Sequence, residues 1–329
     1  MHNFGFQWHI TNFCNLRCFH CYQDEFTSRD DLKLSDIERI VNRISDTLRD
    51  WEIAINITGG EPLLYPDIFK VLGLLEDTAN VKRINIITNG LVLNDDVIKK
   101  LNHMRKIKEL KISLEGGDIE TNNRIRGRGI FERLMHNIRS VQKDTNKEIV
   151  LMYTLGSYNY ENLNEMLNLA LNLSVNGVII ERFVPWGKGL FLKDQYLKKQ
   201  EWCRVIEMIV QFAKLDYAPG ELIPYKAFHI VLGEPIELKG ALCNLGDESM
   251  ALMPNGDVYP CRRFPTKIGN IIDDDFKEVL LRLKILKENI MENLKGRCAN
   301  CKVEGCFGCR AIAYALTGDF YAEDPQCFL

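Results

Sequence analysis

A chain of 329 residues is long for one ordinary domain and suits one barrel with an appendage. Its 46% hydrophobic and 26% charged residues describe a globular protein with a sizeable core, and a net charge of −3 leaves no basic field for nucleic acid. No apolar run approaches the roughly 18 residues that cross a bilayer, and the first residues lack the order of a signal peptide. The chain therefore reads as cytoplasmic, with neither nucleic acid nor membrane as a partner.

Between residues 5 and 190 the pattern alternates strand and helix. Short apolar runs predict strands at Phe6–Thr11, Ile53–Thr58, Ile84–Thr88, Leu110–Leu114, Ile149–Tyr153 and Val178–Phe183. Amphipathic stretches between them predict helices at Ser35–Leu48, Pro66–Asp77, Asp95–His103, Phe131–Gln142 and Tyr160–Leu173, with Ser35, Asn94 and Asn159 as N-caps. Six strands alternating with helices imply an α/β fold with a parallel sheet and right-handed crossovers. Chemistry in such folds collects at the C-terminal ends of the strands. Polar or glycine-rich motifs fall at those ends: Asn12-Phe13-Cys14, Thr58-Gly59-Gly60-Glu61-Pro62, Thr88-Asn89-Gly90, Ser113-Leu114-Glu115 and Pro185-Trp186-Gly187. Residues 191–240 read as a bridging segment with one helix, Gln200–Leu215. Residues 241–329 are cysteine-rich and strand-poor, with too little apolar core to fold without metal.

Eleven cysteines are the anomaly in this composition. In a reducing compartment their clustering favours metal ligation over disulfides. Cys14-x3-Cys18-x2-Cys21 offers three thiolates on one loop, where a [4Fe–4S] cube usually takes four, so one iron would remain open to another ligand. A zinc site would prefer paired arms and four closed ligands. The run Cys-Asn-Leu-Arg-Cys-Phe-His-Cys resembles the signature of the radical S-adenosylmethionine (SAM) superfamily, with the aromatic His20 before the third cysteine. The resemblance implies a partial (β/α)6 barrel over residues 1–190 and a SAM-binding cluster on Cys14, Cys18 and Cys21. It implies SAM contacts from His20, from Thr58, Gly59, Gly60 and Glu61 around the amino group, and from Asn89, Ser113 and Arg126. Glu115 stands where relatives usually carry Asp.

Toward the end of the chain, Cys243-x12-Gly256-x4-Cys261 precedes Cys298-x2-Cys301-x4-Cys306-x2-Cys309 and a final Cys327. This pattern resembles the SPASM extension of radical SAM peptide and protein maturases, and assigns residues 241–329 to it. By the family's pattern Cys298, Cys301, Cys306 and Cys327 hold a distal auxiliary cluster, and Cys243, Cys261 and Cys309 hold an inner one, which makes three [4Fe–4S] clusters in all. The family spacing is commonly x2, x5, x3, so the loop here is tighter. The inner set lacks an obvious fourth cysteine, and a non-cysteine ligand, Cys203 or an iron open to substrate would complete it. Cys203 otherwise reads as a buried small apolar residue on a helix. Two short-spaced cysteine pairs also suit a zinc knuckle.

The resemblance implies reductive cleavage of SAM, with an electron from a flavodoxin- or ferredoxin-type reductant, to a 5′-deoxyadenosyl radical that removes hydrogen from a substrate. The substrate it implies is a ribosomally synthesised peptide or a protein side chain, which would gain a thioether, a carbon–carbon crosslink or another oxidative modification. Only 13 residues precede Cys14, so a peptide substrate is expected to need a separate recognition protein or direct docking. Arg262 follows the second cysteine of the extension, where sulfatase-maturing relatives carry Asp, which argues against that activity. Tailoring of a tetrapyrrole or other small-molecule cofactor is the alternative, and an iron–sulfur electron-transfer module is the non-enzymatic one. Tyr158, Tyr160, Arg182, Trp186 and Arg262 are candidates for the substrate space.

Overall fold

The computed structural model describes residues 2–246 and 248–329. Six parallel strands form its centre: β1 (His2–His9), β2 (Trp51–Thr58), β3 (Val81–Thr88), β4 (Ile107–Ser113), β5 (Glu148–Leu155) and β6 (Gly177–Arg182). All six expected strands are present, most of them starting earlier than the apolar runs suggested. The first residues of β3 show why. Lys82 and Arg83 are exposed and leave no apolar mark, yet their backbone still joins the sheet. The expected Phe6–Thr11 strand moves back by several residues, so Ile10 and Thr11 belong to the loop that carries Cys14.

Helices α1 (Leu34–Thr47), α2 (Ile68–Asp77), α3 (Asp95–Asn102), α4 (Ile119–Arg126), α5 (Ile130–Asp144) and α6 (Leu163–Asn172) connect the strands. Four of these crossovers follow the expected amphipathic pattern closely, burying for instance Ile37, Ile40, Val41 and Ile44 on α1. Asn94 caps α3 by accepting from the Val97 N–H, as expected. Ser35 does not cap α1; it lies inside the first turn, and Lys33 holds the cap position without a side-chain bond. Asn159 does not cap α6 either. Its amide instead ties Gly156 N, Thr154 O and Glu115 O together at the end of β5, and α6 begins after a short 3-10 turn. Helix α4 escaped the periodicity argument because Ile-Glu-Thr-Asn-Asn-Arg-Ile-Arg has almost no apolar stripe; Asp118 starts it by accepting from Thr121 N.

The sheet does not stop at six strands. After α7 (Lys199–Ala213), strand β7 (Ala227–Val231) adds antiparallel to β6, and β8 (Glu237–Ala241) antiparallel to β7. Beyond β1, strand β9 (Ser249–Leu252) pairs parallel with it, followed by β10 (Asp257–Tyr259) and β11 (Gly269–Asn270). The result is one eleven-stranded sheet in the order β11-β10-β9-β1-β2-β3-β4-β5-β6-β7-β8. The described part of the C-terminal region is strand-poor, as expected; what went unforeseen is that its strands, two to four residues long and too short for a period-2 signal, join the barrel's sheet. Helix α8 (Phe276–Glu292) also went unrecognised, and it buries Phe276, Val279 and Leu283 against the main core. Helix α9 (Arg310–Thr317) closes the chain's helical inventory. Among the described residues no helix is long and apolar enough to cross a membrane.

Candidate active site

The loops after β1, β2, β3 and β4 meet over the C-terminal edge of the sheet. Gly59 and Gly60 make this possible. A Cβ on Gly59 would stand 2.5 Å from the Thr11 carbonyl oxygen, and one on Gly60 2.3 Å from that of Phe13. Gly60 N donates to Thr11 O at 2.7 Å and Glu61 N to Phe13 O at 2.8 Å, so the glycine loop is fastened to the cysteine loop itself. The glycines were expected to admit a ligand; the close approach seen here is between two loops of the protein.

Cys14, Cys18 and Cys21 line one cavity of about 920 Å³, counted with its open mouth. His20, Thr58, Gly59, Gly60, Asn89, Ser113 and Arg126 line the same cavity, so seven of the eight residues expected to meet SAM share one wall system with the thiols. Burial raises the pKa of all three thiols, that of Cys21 to about 11. Three desolvated sulfurs around one space are a poor resting arrangement for thiolates and a good one for a cationic iron group, whose binding displaces the protons. Donors are already aimed at one of them: Leu16 N lies 3.4 Å and Asn89 Nδ2 3.8 Å from Cys14 Sγ. Among the described residues no three His, Cys, Asp or Glu side chains converge on a single-ion site; the thiols stand around a cavity instead.

Glu61 departs from expectation. It is fully buried and lies behind the wall rather than on it. Its Oε1 accepts from the Thr88 hydroxyl at 2.8 Å and from Leu63 N at 3.2 Å, and its Oε2 accepts from Asn89 N at 2.7 Å. Burial raises its pKa to about 7 against these donors. Glu61 therefore fixes the β3 loop that presents Asn89.

Glu115 does what no single motif announced. Its Oε1 lies 3.2 Å from His20 Nε2 and 3.6 Å from Arg126 Nη1, and its Oε2 accepts from Thr154 N at 2.9 Å. The buried Asn122 of α4 accepts from Glu115 N, which locks α4 and the Arg126 at its end against β4. Inside this network His20 Nδ1 and Arg126 Nε are buried without a partner. An unmatched guanidinium N–H and an unmatched imidazole nitrogen beside a cavity suit a zwitterionic ligand such as SAM, which offers both acceptors and donors.

A family model described as the radical SAM superfamily matches residues 8–170, and a second, the SPASM iron–sulfur cluster-binding domain, matches residues 243–302. The chain belongs to the radical SAM superfamily. It is similar to the AdoMet-dependent heme synthase of Methanosarcina barkeri, at 25% identity over 97% of this chain and 95% of that protein. It is also similar to the mycofactocin maturase MftC of Mycolicibacterium smegmatis, at 28% identity over 97% of this chain and 81% of that one. In fold it resembles Streptococcus suis SuiB bound to S-adenosylmethionine, with a TM-score of 0.73 and 18% identity over 100% of this chain and 78% of SuiB. This radical SAM chain is thus an enzyme whose cofactors are SAM and [4Fe–4S] clusters.

The radical SAM enzyme's later cysteines separate in space as they did in the pattern. Cys298, Cys301, Cys306 and Cys327 line a second cavity of about 730 Å³ together with Arg182, Lys226 and Arg297. Lys226 Nζ lies 3.3 Å from Cys306 Sγ and Arg310 Nη2 lies 3.7 Å from Cys298 Sγ, cations suited to balance an anionic thiolate cluster. Cys243 and Cys261 pack on Leu245, Phe264, Ile290 and Phe307. Burial, then the nearby Cys309 and Cys261, push the Cys243 thiol up to about 12. Both groups of thiols fit iron–sulfur ligation. Cys203 stands elsewhere. It is half-buried on α7 rather than fully buried, with Sγ 3.8 Å from Glu207 Oε1, and Glu207 alone among charged groups perturbs it.

The substrate candidates fare unevenly. Arg262 lines the SAM-side cavity, with its Cζ 4.8 Å above the centre of the Tyr22 ring. Trp186 lines an adjoining groove. Arg182 faces the distal thiols and pairs with Asp324 at 3.4 Å, both deeply buried, so it fastens β6 to the chain's end. Tyr158 packs on Phe19, His20 and Phe183 with its hydroxyl buried, and Tyr160 points its hydroxyl at Glu161. Packing accounts for both tyrosines. Tyr22, Glu181 and Arg263, which also line the cavity, were not singled out, because only the fold brings them there.

Proposed function

We propose that this enzyme abstracts a hydrogen atom from a ribosomally synthesised peptide or a protein side chain and leaves it oxidatively modified. The observation that carries the reading is a path of approach, a groove that shares part of its wall with the cavity. Tyr22, Gln23 and Arg262 line both the cavity and a groove of about 900 Å³ walled by Trp186, Tyr259, Phe264, Pro254 and Pro265. Such a path suits an extended chain whose reacting residue enters the cavity. SAM and the cluster on Cys14, Cys18 and Cys21, when bound, supply the hydrogen-abstracting 5′-deoxyadenosyl radical. The protein's part is to hold and dry the site. Arg126 and Ser113 would take the SAM carboxylate, the loop at Thr58–Gly60 its amino group, and His20 and Asn89 the faces beside the cluster. Glu115 and Glu61 would orient these groups from behind.

Cys298, Cys301, Cys306 and Cys327 would hold a distal auxiliary cluster, and Cys243, Cys261 and Cys309 an inner one; these clusters would accept the second electron that an oxidative outcome removes from the substrate and pass it to an external acceptor. A flavodoxin- or ferredoxin-type protein would deliver electrons, and a separate protein would present the peptide. The barrel over 1–190, the bridge over 191–240 and the cluster domain over 241–329 would be the working units.

A second reading, tailoring of a tetrapyrrole, is favoured by the Methanosarcina barkeri relative, which is matched over nearly its whole length. Anaerobic reconstitution followed by iron counting and a 5′-deoxyadenosine assay tests both readings at once. Deuterium moving into 5′-deoxyadenosine from a deuterated candidate peptide supports the first. Deuterium moving only from a deuterated porphyrin supports the second. No 5′-deoxyadenosine from iron-replete protein would overturn both.

A further inference from the structure

Two arginines follow Cys261 directly, and the fold turns both back toward the barrel. Arg262 Nη2 lies 3.2 Å and Arg263 Nη1 3.6 Å from the same oxygen, Oε2 of Glu181 on β6. The three side chains are 9%, 21% and 16% exposed, and all three line the cavity that holds the SAM-side residues. The further negative charge near them lies on the side of Arg263, and Arg262 is left with Glu181 as its carboxylate partner. Arg263 also faces the sulfurs of Cys261 and Cys309, which a cluster would occupy. Arg262 has the neutral ring of Tyr22 beneath it. Burial holds His9, whose Nδ1 lies 3.2 Å from the Tyr22 hydroxyl oxygen, uncharged with a pKa lowered to about 3. Lys111 contributes a further positive charge from the barrel floor, itself paired with Glu109 at 3.2 Å.

Two guanidiniums thus share one carboxylate oxygen; Arg263 also reaches the Arg182 carbonyl at 3.4 Å and the Cys261 sulfur, and Arg262 the Tyr22 side chain, but the Nε of each is buried without a partner. A buried cation left short of partners is costly, and a guanidinium fork matches a carboxylate with two parallel hydrogen bonds. Arg262 also lines both the cavity and the groove, so it stands between the groove and the SAM-side wall.

We propose that Arg262 and Arg263 form a receptor for a carboxylate on the substrate, set at the inner end of the entry path, with Glu181 occupying it in the substrate-free enzyme. The substrate then carries an acidic group near the carbon that loses hydrogen. In a peptide this is an Asp or Glu side chain or the chain's C-terminus; in a tetrapyrrole it is an acid side arm. The proposal rests on the reading that this cavity holds SAM and this groove admits substrate.

The test uses reconstituted, full-length enzyme with saturating SAM, so that SAM's own carboxylate is already seated. In one arm the tripeptide Ala-Ala-Phe is titrated as free acid and as C-terminal amide. In the other, deuteroporphyrin is titrated as diacid and as dimethyl ester. In at least one arm the acid is expected to bind at least roughly tenfold more tightly than its neutral form. Arg262→Gln and Arg263→Gln abolish that preference, and Glu181→Gln, which frees both guanidiniums, increases it. The arm that shows the preference identifies the source of the carboxylate. Equal binding of acid and neutral forms in both arms overturns the proposal, as does a preference that survives the arginine substitutions. Should an arginine variant fail to fold, the Glu181→Gln arm decides alone, since loss of packing does not tighten binding. Failure of the wild-type enzyme to make 5′-deoxyadenosine would instead count against the functional reading, independently of these affinities.

Discussion

Cys14, Cys18 and Cys21 and the thiols after residue 240 are supported in different ways. The first loop is rooted in the main core, where Trp8, Ile57, Ile86, Leu110 and Ile112 are wholly or almost wholly buried, and the glycine loop is hydrogen-bonded to it along the backbone. The distal thiols stand on turns and short helices. The apolar groups beside the inner thiols are small: Val184, Ala311, Ile312 and Ala315 beside Cys309, and Leu245, Phe264, Ile290 and Phe307 beside Cys243 and Cys261, while of the distal set Cys327 touches the main core. Polar pins such as Arg182–Asp324, and Arg310 donating to the Phe320 and Ala322 carbonyls, hold the distal end in place of apolar burial. The first loop is thus shaped by a large apolar core, while the later thiols rest mostly on smaller apolar groups and polar pins, where bound metal would matter more to the fold.

Removing the metal tests this contrast most severely. Stripping iron is expected to abolish hydrogen-exchange protection over residues 296–309 and 319–329 while β2 to β5 keep theirs, a local loss of several kcal/mol. Equal protection of both regions after stripping would erase the distinction. A smaller break comes from Arg182→Ala, which takes from the buried Asp324 its main cationic partner and leaves Lys226 as the lesser one. Such losses run at about 3–5 kcal/mol, and because Asp324 also accepts from Cys309 N at 2.8 Å, the disorder should spread to that turn. Urea unfolding followed by a probe near Cys309 reads it.

On the barrel side, Leu110→Ala should cost about 2–5 kcal/mol in a single global transition, with the distal iron retained. Separate early loss of the distal cluster in that variant would show the two regions to be more tightly coupled than their packing indicates. The smallest effect concerns Glu61, whose pKa rises from 4.5 to about 7 in the folded chain. The folded protein then binds this proton more tightly than the unfolded chain, so this group's own contribution to stability is fully present below about pH 4.5 and is lost as pH rises toward 7. In cluster-free protein, Glu61→Gln should flatten the pH dependence of the urea midpoint by up to about 1.4 kcal/mol per pH unit. An identical slope in both proteins would show that the buried carboxyl does not titrate there.

The elements that sequence reasoning located are those whose periodicity is carried by many apolar residues, such as α1 and β2. It failed where a few polar residues decide the structure. Helix α4 is held by the Asp118 cap and by Asn122, and β9 to β11 exist only because β1 offers an unpaired edge. The site divides in the same manner. Local spacing marked the cysteines, the glycine loop and Ser113, because ligands on one loop must lie close in sequence. It could not show that Glu61 faces Thr88 and Asn89 instead of the cavity, since that depends on which way one strand end turns.

By itself, the sequence determined the parallel α/β core, the two groups of thiols and the rim that carries the chemistry, because these depend on short-range periodicity and short-range spacing. Tertiary structure alone decided that Glu115 joins His20 to Arg126, and that Arg182 belongs to the distal end. It also decided that Arg262 and Arg263 meet Glu181, a pairing across about 80 residues of sequence. Charged side chains at such separations carry no periodic signal. Their partners are chosen by burial, where an unpaired charge is too costly to leave alone.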